Sequence, residues 1–365
     1  MTDEYDPTTG NGLSAYLTSQ KINHSSVQLL TGGTANYVYR VTLPSGSTTI
    51  YKHAAPYLHS NTAFSFDPAR MDYENRILEI LPPLFHAQLP DSNVHAVSVH
   101  SYDRARKLLC LSDGGPRHLK DAYTDPTLNI PKIGAELGKW LAALHTSTPA
   151  TPLSLTPTDT SLKANNPIGV SIYRYAYQNL HLAFAQYLPD DVALAHEVNE
   201  VYGSRLTHEN ECLCHGDFWP GNVLLKNPST SSSSTPTSVD LTVVDWEMSR
   251  RGTSATDAAQ FCAEAFLLDR FRGARGLLPA FLNAYLAVRG GKALGREWFA
   301  RIAVHWGVHV GFWPTRVEWT DGEGTRELVE MGAQVLRAVI EGKWGVLFAG
   351  ELFRGVDTRF MDFEG

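Results

Sequence analysis

The chain has 365 residues, 43% hydrophobic and 19% charged, enough to build a packed core and divide it into two lobes. A net charge of −7 without any basic run argues against nucleic acid as a partner, because a phosphate backbone is gripped by clustered Lys and Arg. No apolar run approaches the ~20 residues of a membrane span. The acidic amino terminus lacks a signal-peptide core, and the cysteines at 110, 212, 214 and 262 form no secretory framework, so a reducing, cytoplasmic setting without membrane partners is expected.

In chain order, Val27 to Leu30 reads as a strand and Thr31 to Asn36 as a tight turn. Tyr37 to Thr42 is the returning strand, Pro44 to Gly46 a second turn, and Thr48 to Lys52 a third strand that ends in a lysine. Adjacent glycines let backbone N–H groups approach phosphate oxygens, so Gly32, Gly33, Thr34 and Asn36 are candidates for contact with ATP. An ordinary hairpin accounts for the same residues. A helix is expected from about Pro68 to Ile80, with Asp72 and Glu74 as its acids. Arg106 to Gly115 is a strand running into a flexible turn. Ile133, Leu137, Trp140, Leu141 and Leu144 recur at helical spacing and mark a core helix. Thr146 to Asn166, rich in Thr, Pro and Ser, is expected to be a mobile surface connection. Cys212 and Cys214 share one strand face as two buried thiols, a zinc pair being the alternative.

His215-Gly-Asp217-Phe-Trp-Pro-Gly-Asn222 carries the chemistry, together with Val-Val-Asp245-Trp-Glu247 downstream. Asp217 can accept the proton of an attacking hydroxyl. Asn222 and Asp245 are oxygen ligands for the magnesium that bridges ATP phosphates. Apolar β runs flank both motifs, and two strands joined by a turn would bring Asn222 and Asp245 together. The spacing Asp-x4-Asn, with a histidine two residues ahead, matches the catalytic loop of protein kinases. The serine-rich stretch from Lys226 to Asp240 is expected to be a disordered hairpin tip far from the chemistry. A helix follows near Gly252 to Phe261, with Ser254 or Thr256 as its cap.

These motifs resemble the aminoglycoside phosphotransferase and choline kinase superfamily. The segments Tyr51-Lys-His-Ala-Ala-Pro-Tyr57 and Ala69-Arg-Met-Asp-Tyr-Glu74 are similar to the methylthioribose kinases and to the fungal 4-hydroxytryptamine kinases. The catalytic loop departs from the former and is nearer the latter. The resemblance implies an α+β, bilobal protein-kinase-like fold, with a β-rich N-lobe over residues 1–111 and a mainly helical C-lobe over 112–365. It implies ATP and Mg2+ as cofactors and a small-molecule hydroxyl as acceptor: a sugar, an amino alcohol or a hydroxyindole. Lys52 would clamp the phosphates, with Glu74 aiming it and Asp72 in reserve. Leu111 and Asp113 would lie at the hinge that meets the adenine. Asp257 resembles the family's buried acid behind the catalytic loop.

The acceptor is expected against the carboxy-terminal helices. His305, His309, Phe312, Trp313 and Arg316 share roughly one helical face, and Trp219 and Glu247 lie near the catalytic acid. Core packing explains the histidines equally well. Glu318, Asp321 and Glu323 could attract a cation or simply form a solvated loop. Two other readings remain. A non-catalytic binding protein of this fold would have lost its base, lysine or metal acid, and none is lost. A protein kinase would need a longer activation segment ending in Ala-Pro-Glu, and none follows Asp245.

Overall fold

The computed structural model describes residues 5–156, 158–226 and 239–362. The amino-terminal lobe is a five-stranded antiparallel sheet in the order Ser26–Leu29, Tyr37–Thr42, Thr48–His53, Leu108–Ser112, Val99–Asp103. Side chains alternate across it with period two. Tyr51 therefore joins Leu13, Leu17, Tyr39, Val41 and Cys110 in a small core under the helix Gly10–Ser19, while Lys52 points to the opposite face. That helix was not anticipated; Thr9 caps it by accepting from the Gly12 amide at 3.0 Å. A second unforeseen element is the exposed hairpin of Tyr57–Leu58 and Asn61–Ser65.

The expected acid-bearing helix runs from Arg70 to Gln88 rather than from Pro68 to Ile80, and it passes through Pro82 and Pro83. Tertiary packing overrides the proline penalty. Leu81 is fully buried, and Phe85 stacks on Trp140 with ring centroids 4.5 Å apart.

The helical lobe gathers Ile130–Ser147, Pro167–Tyr187, Ser254–Phe271, Leu277–Arg289, Gly291–Phe312 and Gly322–Ile340 around one continuous core. Trp140 stands at its centre, 6.0 Å from the Phe218 ring and 5.9 Å from Trp246, so the helix predicted from Ile133 to Leu144 lies directly beneath the catalytic motifs. Among the described residues no helix is long and apolar enough to cross a membrane.

The connection from Thr146 to Asn166 runs largely along the surface, as expected, but over its described residues it is tied down rather than loose. Thr148 accepts from the Leu213 amide, Leu153 is fully buried, and Arg251 donates to the carbonyls of Thr148, Pro149 and Thr151. Asn166 is buried and caps the next helix through the amides of Ile168 and Gly169. Its composition suggested solvent, but buried backbone polar groups found fixed partners. The hairpin tip expected between Lys226 and Asp240 falls mostly on residues 227–238, outside the described residues; Lys226 and Asp240 themselves pair in register. Asp321 is not in a loop either. It accepts from the Gly324 amide at 2.9 Å and caps the helix Gly322–Ile340.

Candidate active site

The motif His215 to Asn222 leaves the buried strand Cys212–Cys214, turns through Pro220–Asn222 and enters Val223–Lys226. That strand pairs with Asp240–Val243, and the Val244 amide donates to the Asn222 carbonyl at 3.0 Å. The hairpin thus sets the asparagine beside the second acidic motif. Asp257 anchors the loop from behind: one oxygen accepts from the His215 amide at 2.6 Å and the other from the Gly216 amide at 2.9 Å. His145 contacts the same carboxylate at 3.3 Å. The helix bearing Asp257 is capped by Thr253, ahead of both expected caps, Ser254 and Thr256; the Ser254 hydroxyl donates to Glu211 instead.

His215 is a strut. Nε2–H donates to the Val244 carbonyl at 3.1 Å and Nδ1 accepts from the Asp217 amide at 3.2 Å, a pattern that one neutral tautomer satisfies. Burial pushes its pKa down to about 4, so the ring stays neutral.

Asp217 is held at both oxygens. Gln260 Nε2 donates to Oδ1 at 2.6 Å and Asn222 Nδ2 donates to Oδ2 at 2.9 Å. Burial, then repulsion from Asp245, raises the Asp217 pKa to about 7 against the pull of those two amides. A carboxyl poised near neutrality suits a general base.

Lys52 lies in the cleft between the lobes. It donates to Glu74 at 2.7 Å and to Asp245, with Glu247 at 3.8 Å. Burial alone would lower its pKa; the acids Asp245, Glu74 and Glu247 outweigh burial and keep it charged. Asp72, the reserve partner, pairs with Lys107 at 2.6 Å and Tyr102 at 2.8 Å. Asp245 adopts φ +66°, rare for a residue with a side chain. Burial raises its pKa and Lys52 more than reverses this, leaving it below the ordinary carboxylate value.

Glu247 departs from the expected acceptor side. It is 2% exposed, accepts from Asn36 Nδ2 at 2.7 Å and lies 3.3 Å from Arg70 Nε, so it faces the N-lobe. Carboxylate oxygens of Glu74, Asp245 and Glu247 lie within 4.8 Å of one another. Asn36 is consumed by the same network, since its carbonyl accepts from Arg70 at 3.0 Å. Arg70 lies within the segment Ala69 to Glu74, but the sequence assigned it no role.

The glycine turn is open. A Cβ at Gly32 or Gly33 would meet nothing within 4 Å, and Gly32 has φ +110°. Thr34 accepts from the Ser60 amide at 3.0 Å, so the unforeseen hairpin props the turn from outside. Leu111 pairs with Ile50 and is buried, and the Asp113 side chain is tied to Arg40 at 2.6 Å and to the Gly115 amide at 3.1 Å. Asp113 therefore shapes the turn and has little left to offer a ligand.

The predicted acceptor face divides. His305 stacks on Tyr173 with centroids 4.7 Å apart and contacts the Tyr177 hydroxyl at 3.0 Å, which makes it core. His309 contacts Glu264 at 2.8 Å, and Trp313 is half-buried beside it. The helix stops at Phe312, so Arg316 leaves the face and lies exposed over the Phe312 ring. Trp219 is half-buried under the Lys120 ammonium. Gln260 and Glu264 were missed. Their spacing of three and seven residues from Asp257 on one helix face was the available signal. Cys212 and Cys214 are buried free thiols near His145, whose ring is already engaged by Tyr285 and Asp257.

Residues 26–298 match the family model described as "Phosphotransferase enzyme family". The chain belongs to that phosphotransferase family. It is a small-molecule kinase. The 4-hydroxytryptamine kinase of Psilocybe cyanescens is 28% identical over 92% of this chain and 94% of that protein. Its counterpart from Psilocybe cubensis is 26% identical, over 90% and 92%. Among solved structures, a microcompartment-associated aminopropanol kinase superposes with a TM-score of 0.50 at 16% identity, covering 92% of this chain and 98% of that one, which is a likeness of fold.

Proposed function

We propose that this phosphotransferase moves the γ-phosphoryl group of ATP onto a hydroxyl of a small metabolite, with magnesium. The observation that carries the reading is the Asp217 carboxyl, clamped between the Gln260 and Asn222 amides beside the Lys52–Asp245 pair. In this reading the acceptor oxygen bonds to the γ-phosphorus as the bond to the β-phosphate oxygen breaks. Asp217 takes the hydroxyl proton, and ADP leaves. Lys52, aimed by Glu74, neutralises phosphate charge, and the open turn at Gly32 and Gly33 covers it with backbone amides.

Asn222 spends its amide nitrogen on Asp217, which leaves its carbonyl oxygen free to join an Asp245 carboxylate oxygen as donors that suit a hard cation such as magnesium. When bound, magnesium neutralises charge on the transferring group. Four buried free cysteines agree with a cytoplasmic setting. The names of the two fungal relatives favour a hydroxyindole amine over a sugar or a short amino alcohol as acceptor.

The test is ADP release with magnesium against 4-hydroxytryptamine, 5-methylthioribose, choline and an aminoglycoside. One acceptor should support turnover, and Asp217→Asn should reduce it by roughly 10²–10⁴-fold while ATP still binds. Undiminished turnover in that variant would remove Asp217 as the base. Nucleotide binding without turnover of any acceptor would favour a binding role.

A further inference from the structure

Lys120 lies in the short helix Leu119–Ala122 just beyond the hinge. Its ammonium is held by two indoles, not by a carboxylate: Nζ lies 5.0 Å from the Trp219 ring centroid and 5.2 Å from the Trp319 ring centroid. A surface lysine ordinarily keeps its charge in water. Between two aromatic faces the ammonium gains two attractive ring quadrupoles in return for the side-chain freedom it gives up.

The two rings belong to distant parts of the chain. Trp219 is two residues past Asp217, and its ring lies across Gly221, where a Cβ would come within 2.3 Å of it. The Gly221 carbonyl contacts His118 Nδ1 at 2.5 Å, and His118 sits in the strand Arg117–His118 that pairs with Leu224 and Leu225. Trp219 and the base of Lys120 are therefore both fixed to the catalytic loop. Trp319 belongs to the connection between the turn Trp313–Thr315 and the helix Gly322–Ile340. Arg316, Val317 and Glu318 on that connection are exposed, and the amides of Arg316 and Val317 both donate to the Trp313 carbonyl at 2.9 Å. The Trp319 ring also lies 6.4 Å from Phe271, at the end of the helix that supplies Gln260. Lys120 thus bridges the loop of the catalytic base to the segment that begins at Trp313.

We propose that Lys120 is a latch: its ammonium, gripped by Trp219 and Trp319, holds the connection over residues 316–321 to the catalytic loop and so shapes the wall that positions the acceptor beside Asp217. It is a positioning residue, acting through the two rings. The inference deepens the kinase reading, since Asp217 marks where the reacting hydroxyl sits. The contacts of Lys52 with Glu74, Asp245 and Glu247 involve none of the three latch residues, so the effect falls on the acceptor and not on ATP. The charge is what matters. Arginine keeps a cation for the rings, whereas methionine keeps the apolar stem and a sulfur contact but loses the cation.

Steady-state kinetics with 4-hydroxytryptamine, ATP and magnesium compare wild type, Lys120→Met, Lys120→Arg and Trp319→Leu. Lys120→Met should raise KM for the acceptor about fivefold, with kcat and KM for ATP within about twofold of wild type. Lys120→Arg should restore most of the loss. Trp319→Leu should resemble Lys120→Met, and the double variant should be no worse than either, because both changes remove one bridge. An unchanged acceptor KM in Lys120→Met, an equal rise in both KM values, or additive losses overturns the latch. A second readout needs no acceptor: acetylation by acetic anhydride, followed residue by residue with mass spectrometry. Lys120 should react at least about threefold faster in Trp319→Leu than in wild type, while the exposed Lys292 keeps its rate. Equal Lys120 rates overturn the latch. If wild type does not turn over 4-hydroxytryptamine, that acceptor reading fails and acetylation decides the latch alone. If Trp319→Leu does not fold, Lys120 is compared with Lys292 in wild type, and equal reactivity there overturns the latch.

Discussion

Gly216 has φ +81°, and a Cβ there would lie 1.9 Å from the Met248 carbonyl oxygen. The glycine of His-Gly-Asp is thus a steric requirement: the loop must pass against the strand end that carries Asp245 and Glu247. Gly216→Ala should cost at least about 1–3 kcal/mol from backbone strain alone and displace Asp217. Thermal unfolding of the variant should show a lowered midpoint, with turnover falling further than stability explains; a wild-type midpoint would refute the steric argument. Glu74 and Asp72 carry a second lesson at this scale. Both acids were legible, but residues two apart on a helix point in different directions, and only the packed helix shows which one faces Lys52.

At the level of elements, the hairpin Val223–Lys226 with Asp240–Val243 and the helix Ser254–Phe271 form the site's frame. The hairpin was readable because its strands are apolar and its acids sit at the ends. The helix was readable as a helix, but neither expected cap, Ser254 nor Thr256, serves, since Ser254 is drawn to Glu211 and Thr253 caps instead. Thr253 Oγ1 accepts from the Ala255 amide at 3.4 Å and donates to Glu211 at 3.0 Å. Thr253→Ala should destabilise the protein by about 1 kcal/mol, measured by denaturant midpoint. Because Asp257 lies in the first turn, the same variant should also lower kcat modestly; a loss of stability with kcat unchanged would separate the cap from the loop anchor.

At the scale of the whole molecule, the lobes meet through side chains far apart in sequence. The Trp246 backbone amide donates to the Glu74 carboxylate at 3.3 Å, and the Asn36 amide reaches Glu247. Phe85, Trp140, Phe218 and Trp246 form one aromatic column beneath these contacts. Trp140 is fully buried within it. Trp140→Ala should cost about 3–5 kcal/mol by leaving a cavity under the His215–Asn222 loop and Trp246. Equilibrium unfolding would check this, and a loss below about 1 kcal/mol would mean the column collapses to fill the space.

The sequence by itself determined the local chemistry. Asp217, Asn222 and Asp245 lie in two short motifs, and an antiparallel hairpin can close them in only one way. It also determined the alternation that turns Lys52 inward and the helical period that buries Trp140. Tertiary structure decided the pairings among distant groups. It chose Glu74 over Asp72, turned Glu247 toward Asn36 and Arg70, sent His305 into the core, and set Gln260 against Asp217. The physical reason is range. Backbone geometry fixes what neighbours in sequence can do, whereas a buried charge takes whichever partner packing brings within hydrogen-bond reach.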